Sequence, residues 1–280
     1  AVVRKVMASR PADMTAKTND GVAHEVWTID DDATIAAFRT AMDGEDVFIA
    51  DGHHRYTTAL NYLKGLEEAG AVPADHPARQ CMIVLVGMSD PGLAIGPTHR
   101  VLGGMKGYSA EAFMNAAAGV LNFLPVKGGL QGLDRVLGDS PRHETHLGLH
   151  DFATGQSWMM SPTKPDPLAA DFPTKPEAWR MLDVAIIQHL IVERICQPKL
   201  NDGQPVKWAF PHTVDEVKEI GSGAETGAGG GSGFAQMAVV VRPTPLDAVR
   251  DVSRANELMP QKSTFFYPKL ATGLFVNKVE

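Results

Sequence analysis

The sequence predicts an α+β protein of mixed α/β layers, and three observations carry that reading. Segments of helical period alternate with short apolar runs of strand character along most of the 280 residues. Glycine, proline and Asn/Asp clusters punctuate them at turn spacing. Hydrophobic residues make up 44% and charged residues 21%, the ordinary balance of a globular chain with room for one large domain or two smaller ones.

The elements follow in order. The opening run AVVRKVMA is expected as a strand, and the chain starts inside it at Ala1, which points to a fragment or a processed form. Asn19-Asp20-Gly21 marks a turn between two strand-like runs, with alternation in VAHEVWTI after it. Asp30 to Asp32 can cap a helix whose inner face is Ile35, Phe38 and Met42, and Asp43-Gly44 ends it. DVFIA at 46–50 predicts a short strand. Arg55 to about Ala69 predicts a helix with Ala59, Leu60, Leu63 and Leu66 inside and Gly70 as its stop. CMIVLVGM at 81–88 predicts a fully buried strand. LAIGPTHRVL follows a Pro-Gly turn. A boundary between Arg100 and Ser109 divides the chain into regions 1–104 and 105–280.

In the second region a helix is expected from Ser109 to Leu121, and THLGLH and SWMMS flank the turn DFATG as a hairpin. A proline-rich connection leads to the longest helix, about 177–196. The strand VKWAF, a helix over 213–220, a glycine-rich loop, the strand FAQMAVVVR and a helix over 245–254 complete the pattern. There is no internal repeat.

Several functional classes recede on composition. A net charge of −7 argues against a nucleic-acid binder. The two cysteines, Cys81 and Cys196, stand in no CxxC pair, which fits a reduced cytoplasmic protein without a cysteine zinc site. No run has the length of a membrane span and no signal peptide is visible. The glycine-rich loop lacks both GxxxxGK[ST] and GxGxxG and reads as a surface loop.

The stretch IADGHHRYTTA, residues 49–59, concentrates chemistry at one strand-to-helix corner. Free amides at a helix start and the helix dipole favour an anion. Gly52 permits positive φ and close approach. Arg55 can grip a phosphate with two parallel hydrogen bonds. His53 and His54 add donors or an acid–base group, and Asp51 could hold Mg²⁺ or act as a base. The competing structural reading makes Asp51 an N-cap, the histidines a satisfied polar corner and Arg55 a partner for a nearby acid.

DGHHRYTTAL resembles the hallmark of the bacterial and archaeal family catalogued as domain of unknown function 1015. GPTHRVL at 96–102 and MPQKSTFFYPKLATGL at 259–274 resemble further motifs of that family, and the likeness runs from about residue 20 to the C-terminus. Members usually carry a further N-terminal segment, which supports the fragment reading. The family is similar to a wider group: ParB-type CTP-binding proteins, sulfiredoxin and the free serine kinases. The resemblance implies a ParB/sulfiredoxin-like nucleotide-binding region followed by a C-terminal α+β region. Gly52, Arg55 and Ala59 match the ParB pattern GxxRxxxA loosely, while DGHHR matches the kinases over Asp51 to Arg55. Where sulfiredoxin places its reactive cysteine this chain has His53, which removes that thiol chemistry. The kinases' upstream carboxylate base maps to no residue here.

Other groups complete the expectation. Thr98, His99 and Arg100 offer a second cationic cluster at a strand end, read either as part of a pocket or as a solvated strand end, and Lys262 or Lys269 is expected to reach an anion. His143, His146 and His150 have metal-like spacing but read better as part of the hairpin. His189 reads as a core or groove histidine. His212 either pairs with Asp215 or belongs to a loop before an N-cap at Thr213. The expected activity is transfer of a phosphoryl group from ATP, ADP or CTP, with Mg²⁺, to a small metabolite such as an amino acid. The alternatives are a nucleotide-sensing module without turnover and a phosphatase on a phosphorylated metabolite. The partner is a small phosphate ligand, with neither nucleic acid nor membrane; the oligomeric state is open.

Overall fold

The computed structural model describes residues 2–19, 21–224, 231, 233–267, 269, 273, 275 and 276. The chain divides into two compact units: Ala1–Leu85 with Lys269–Glu280, and Val86–Pro268. Helices and antiparallel sheets make it an α+β protein.

The first unit opens with helix α1, Val2–Ser9, where a strand was expected. VVRKVMAS places its apolar residues at helical spacing, and the segment is too short for its period to separate the two readings. Strands β1, Met14–Lys17, and β2, Ala23–Val26, pair antiparallel across the expected turn, of which Asp20 lies outside the described residues. Helix α2, Asp32–Met42, is capped by Asp31, whose carboxylate accepts the Thr34 N–H. Helix α3, His53–Ala69, stops at Gly70.

Among the described residues, 46–50 and 81–88 form no ladder, where two strands were expected. Met82, Ile83, Val84, Leu85 and Val86 are each about half exposed or more. Their composition suits a central strand, but within the described residues no neighbouring strand pairs with them. The inner stripe expected on α3 is correspondingly shallow: no residue of that helix is buried, and Leu60 is exposed.

The second unit holds the core. In chain order its elements are β3 (Ala94–Gly96), β4 (Arg100–Gly103), α4 (Ala110–Ala116), β5 (Leu121–Val126), α5 (Gly129–Asp139), β6 (Leu147–Asp151) and β7 (Ser157–Pro162). Then come α6 (Glu177–Arg180), α7 (Asp183–Ala185), a π-helical stretch (Ile186–Cys196) and α8 (Gln197–Leu200). The unit closes with β8 (Lys207–Ala209), α9 (Val214–Gly221), β9 (Ala235–Val240), α10 (Leu246–Arg254) and β10 (Phe265–Tyr267). Six strands form one antiparallel sheet in the order β5-β7-β6-β9-β4-β8, and β10 pairs with β3 separately.

Alternation along the central strands sends side chains to two cores. Leu102, Met237 and Val239 join Phe113, Leu147, Leu149 and the π-helical Ile187, Leu190 and Ile191 on one face. Val101, Ala238 and Val240 join Leu133 and Leu137 of α5 and Val217 and Ile220 of α9 on the other. The expected helix over 109–121 ends at Ala116, and the expected single helix over 177–196 is broken into α6, α7 and the π-helical stretch. Among the described residues no helix is long and apolar enough to cross a membrane.

Candidate functional site

The corner that opens α3 gathers Asp51, Gly52, His53, His54 and Arg55, and Lys269 joins them. Gly52 is the N-cap in the left-handed region, φ 85° and ψ 19°, and no side chain caps the helix. The first intrahelical bond runs from Tyr56 N–H to the Gly52 carbonyl at 2.9 Å. The amides of residues 53–55 therefore precede the hydrogen-bonded ladder and point out of the helix end. Arg55 folds back over the corner: a Cβ built on Gly52 would lie 3.2 Å from its Nη2 and 3.4 Å from its Nε. Glycine is thus favoured by its φ, and the guanidinium lies close above it.

Both oxygens of Asp51 are engaged. Oδ1 accepts the Gly52 N–H at 2.7 Å, and Oδ2 accepts from Lys269 Nζ at 2.9 Å. The Lys269 ammonium holds the Asp51 carboxyl below the usual carboxylate range, against the opposing effect of partial burial, with help from the Gly52 amide and Arg55. The pair is half exposed, so its worth to stability is below about 1 kcal/mol. A resident Mg²⁺ does not fit this arrangement. That ion wants an octahedron of oxygens, whereas the corner offers one carboxylate already occupied by an ammonium and an amide. Among the described residues no three His, Cys, Asp or Glu groups gather to hold a metal.

His53, His54 and Arg55 are all exposed. Along the helix from them, His54, Arg55, Thr58, Ala59 and Tyr62 line an open groove of about 480 Å³. His54, Thr58 and Tyr62 are spaced by four residues and share one stripe. Thr58 and Tyr62 were not among the expected site residues, although the spacing HxxxTxxxY was there to be read.

The second unit contains a separate buried cluster around one cation. Thr98, His99 and Arg100 are buried, at 3%, 1% and 3% exposure. Arg100 donates to the Thr98 carbonyl at 2.5 Å and to the Lys262 carbonyl at 3.0 Å, and its guanidinium stands 5.1 Å from the Phe210 ring centroid. Burial draws its pKa down to about 10. His99 Nδ1 accepts the Val241 N–H at 3.2 Å, which fixes the neutral tautomer with its proton on Nε2. Burial, then Arg100 and His212, push its pKa down to about 4. Lys262 sits at φ 57°, unusual for a residue with a side chain. Arg100 thereby holds the backbone at Lys262, and both its bonds are spent on carbonyls.

His212 contacts Thr98 Oγ1 at 3.4 Å and the Pro97 carbonyl at 3.1 Å through Nδ1, and stacks on Phe265 with ring centroids 3.8 Å apart. Thr213 caps α9, as the simpler reading expected, while Asp215 pairs with Lys218 instead of His212. His150 shares a hydrogen bond with Ser157 at 2.9 Å. His143 and His146 both lie near Glu144, at 3.6 and 3.4 Å. His189 pairs with Glu193 at 2.7 Å and packs on Phe172 and Trp179.

An uncapped, cationic helix opening in an α+β chain is the feature against which relatives can be set. The family described as "Protein of unknown function (DUF1015)" matches residues 1–185, and the chain belongs to it. No curated protein matches the chain. Among solved structures it is similar to a conserved hypothetical protein from Pyrococcus furiosus, at 14% identity over 80% of this chain and 72% of that one, with a TM-score of 0.39. It is also similar to a free serine kinase in complex with AMP, at 14% identity over 84% of this chain and 78% of that one, TM-score 0.39. A form of that kinase in complex with ADP gives 14% identity, 80% and 70% coverage and a TM-score of 0.40.

Proposed function

We propose that the chain binds a nucleotide or a related phosphate ligand at the Asp51–Arg55 corner and transfers a phosphoryl group from it to a small metabolite such as an amino acid. The observation that carries this reading is the left-handed Gly52 with Arg55 laid over it and three helix-start amides facing outward. Such an opening favours a multiply charged anion. The letter-for-letter resemblance of DGHHR to the free serine kinase corner supports it.

In this reading Arg55 and the amides of residues 53–55 hold the phosphates. His53 or His54 donates to the transferring group, and Mg²⁺ arrives with the nucleotide and not as a resident ion. The acceptor hydroxyl attacks the terminal phosphorus, the bond to the leaving nucleotide, now one phosphate shorter, breaks, and Asp51 receives the hydroxyl proton. Lys269 keeps Asp51 ionised until the acceptor arrives. Most of phosphoryl transfer is positioning and charge neutralisation, which these groups supply.

The occupied Asp51 also favours a second reading, a nucleotide-sensing module without turnover. A carboxylate held well ionised by a lysine is a weak base. Calorimetric titration of ATP, ADP and CTP, each with and without Mg²⁺, into the wild type and Arg55→Ala tests the site itself. Binding of at least one nucleotide by the wild type and its loss in Arg55→Ala is the expected result. Equal affinity in the two proteins removes Arg55 from the site. Incubation with amino-acid acceptors then separates a transferase from a sensor.

A further inference from the structure

The groove along α3 runs away from the corner, and nothing in the proposed phosphate chemistry uses its far end. Its wall is mostly hydrocarbon, from the Ala59 methyl and the Tyr62 ring, with His54 and Arg55 at the head and the Thr58 hydroxyl between. Tyr62, at the far end of the groove, is 41% exposed. At about 1.5 Å of rise per residue, Arg55 and Tyr62 stand roughly 10 Å apart along the helix. None of the four side chains His54, Arg55, Thr58 and Tyr62 makes a hydrogen bond or ion pair to the described residues. Together they present a charge, a hydroxyl and a flat ring in a line, with an apolar floor.

That order is the order of parts in a nucleotide: phosphates, ribose, base. We infer that the groove on α3 is a nucleoside site, in which Tyr62 stacks on the base and Thr58 hydrogen-bonds the ribose while Arg55 holds the phosphates. The inference rests on the phosphate reading of the corner and deepens it, because it assigns a nucleoside polyphosphate over an inorganic or sugar phosphate. Stacking on one ring accepts any base face, so the groove favours nucleotides as a class without choosing strongly among bases. Tyr62 is a binding residue here and takes no part in phosphoryl transfer.

The test uses two probes of matched charge, ATP and inorganic tripolyphosphate, titrated with Mg²⁺ into the wild type, Tyr62→Ala, Tyr62→Phe and Arg55→Ala. In the expected result Tyr62→Ala binds ATP roughly 5- to 150-fold more weakly, the range of losing one base–aromatic stack. The same variant keeps its tripolyphosphate affinity, and Tyr62→Phe restores ATP. Arg55→Ala weakens both probes. If Tyr62→Ala binds ATP as the wild type does, while Arg55→Ala still loses both probes, the nucleoside inference fails and the phosphate corner stands. If the wild type binds neither probe, the corner reading fails and takes the groove with it. A parallel loss of ATP and tripolyphosphate in Tyr62→Ala, with Tyr62→Phe equally weak, also overturns the inference, since it reports damage to α3 and not a lost stack.

Discussion

Gly52 shows how one residue sets the corner. Its φ of 85° lies where an L side chain costs roughly 1–2 kcal/mol. A methyl there would also meet the Arg55 guanidinium at 3.2 Å. The guanidinium is the flexible end of a long side chain, so it would swing away before the backbone moved. Gly52→Ala is therefore expected to lower stability by about 1 kcal/mol and to weaken nucleotide binding by about tenfold or more, because it both strains the cap and displaces the phosphate-gripping group. Urea unfolding and calorimetry on the same variant separate the two effects. Unchanged binding would mean that Arg55 does not need its place over Gly52. Asp51 and Lys269 illustrate the limit of local reading. Each was expected at the site on its own account, yet that they bond to each other, 218 positions apart, could not be read from either stretch.

At the scale of elements, the entry to β4 carries a titration. His99, immediately before β4, is buried and neutral, with a folded pKa of about 4 against an ordinary 6.5. Between those values the unfolded chain binds more protons there than the folded chain. The stability that neutral His99 contributes is complete above about pH 6.5 and is lost as pH falls from 6.5 toward 4, amounting to about 3 kcal/mol. Urea unfolding of the second unit, followed over that range, should show the decline. His99→Asn, whose Oδ1 can accept the Val241 N–H in place of Nδ1, should flatten it; an equal slope in the variant would assign the titration elsewhere.

The elements legible in the sequence were those with local signals. Asp31 before α2 and Thr213 before α9 announce caps, and β6 and β7 flank a turn that the letters DFATG spell out. Those missed had conflicting signals. Strand β5 contains Pro125, which argues against a strand, but β5 lies at the sheet edge, where a proline need not donate. Helix α5 follows an N-cap at Gly128, left-handed like Gly52, and glycines at 128, 129 and 132 hide its apolar stripe of Leu130, Leu133 and Leu137. At the site, residue types and the glycine conformation could be read early. The burial of His99 and Arg100 could not, because it depends on β8, β9 and the 260–263 loop closing over them.

At the scale of the whole molecule, apolar burial is unevenly shared. Buried hydrophobic side chains among the described residues run from Val101 to Phe266, and the first unit contributes only Ala78. Meanwhile Met82 to Val86 are each 49–60% exposed. Within the described residues the backbone of 81–86 makes no backbone hydrogen bond. Amides without ladder partners exchange at nearly the rate of an open chain, whereas those of a buried strand wait for global opening. Hydrogen exchange followed by mass spectrometry should thus find 82–86 labelled within seconds while 237–240 of β9 stay protected for hours. The same run, CMIVLV, is uncharged, β-prone and free of proline and glycine, the composition of an aggregation-prone segment. Val84→Lys places a charge on it at a position that is 57% exposed. The variant is expected to scatter less light than the wild type at equal concentration and to leave the unfolding of the second unit unchanged. Protection at 82–86 equal to that of β9 would overturn the account, since it would require a strand in solution that pairs with this run.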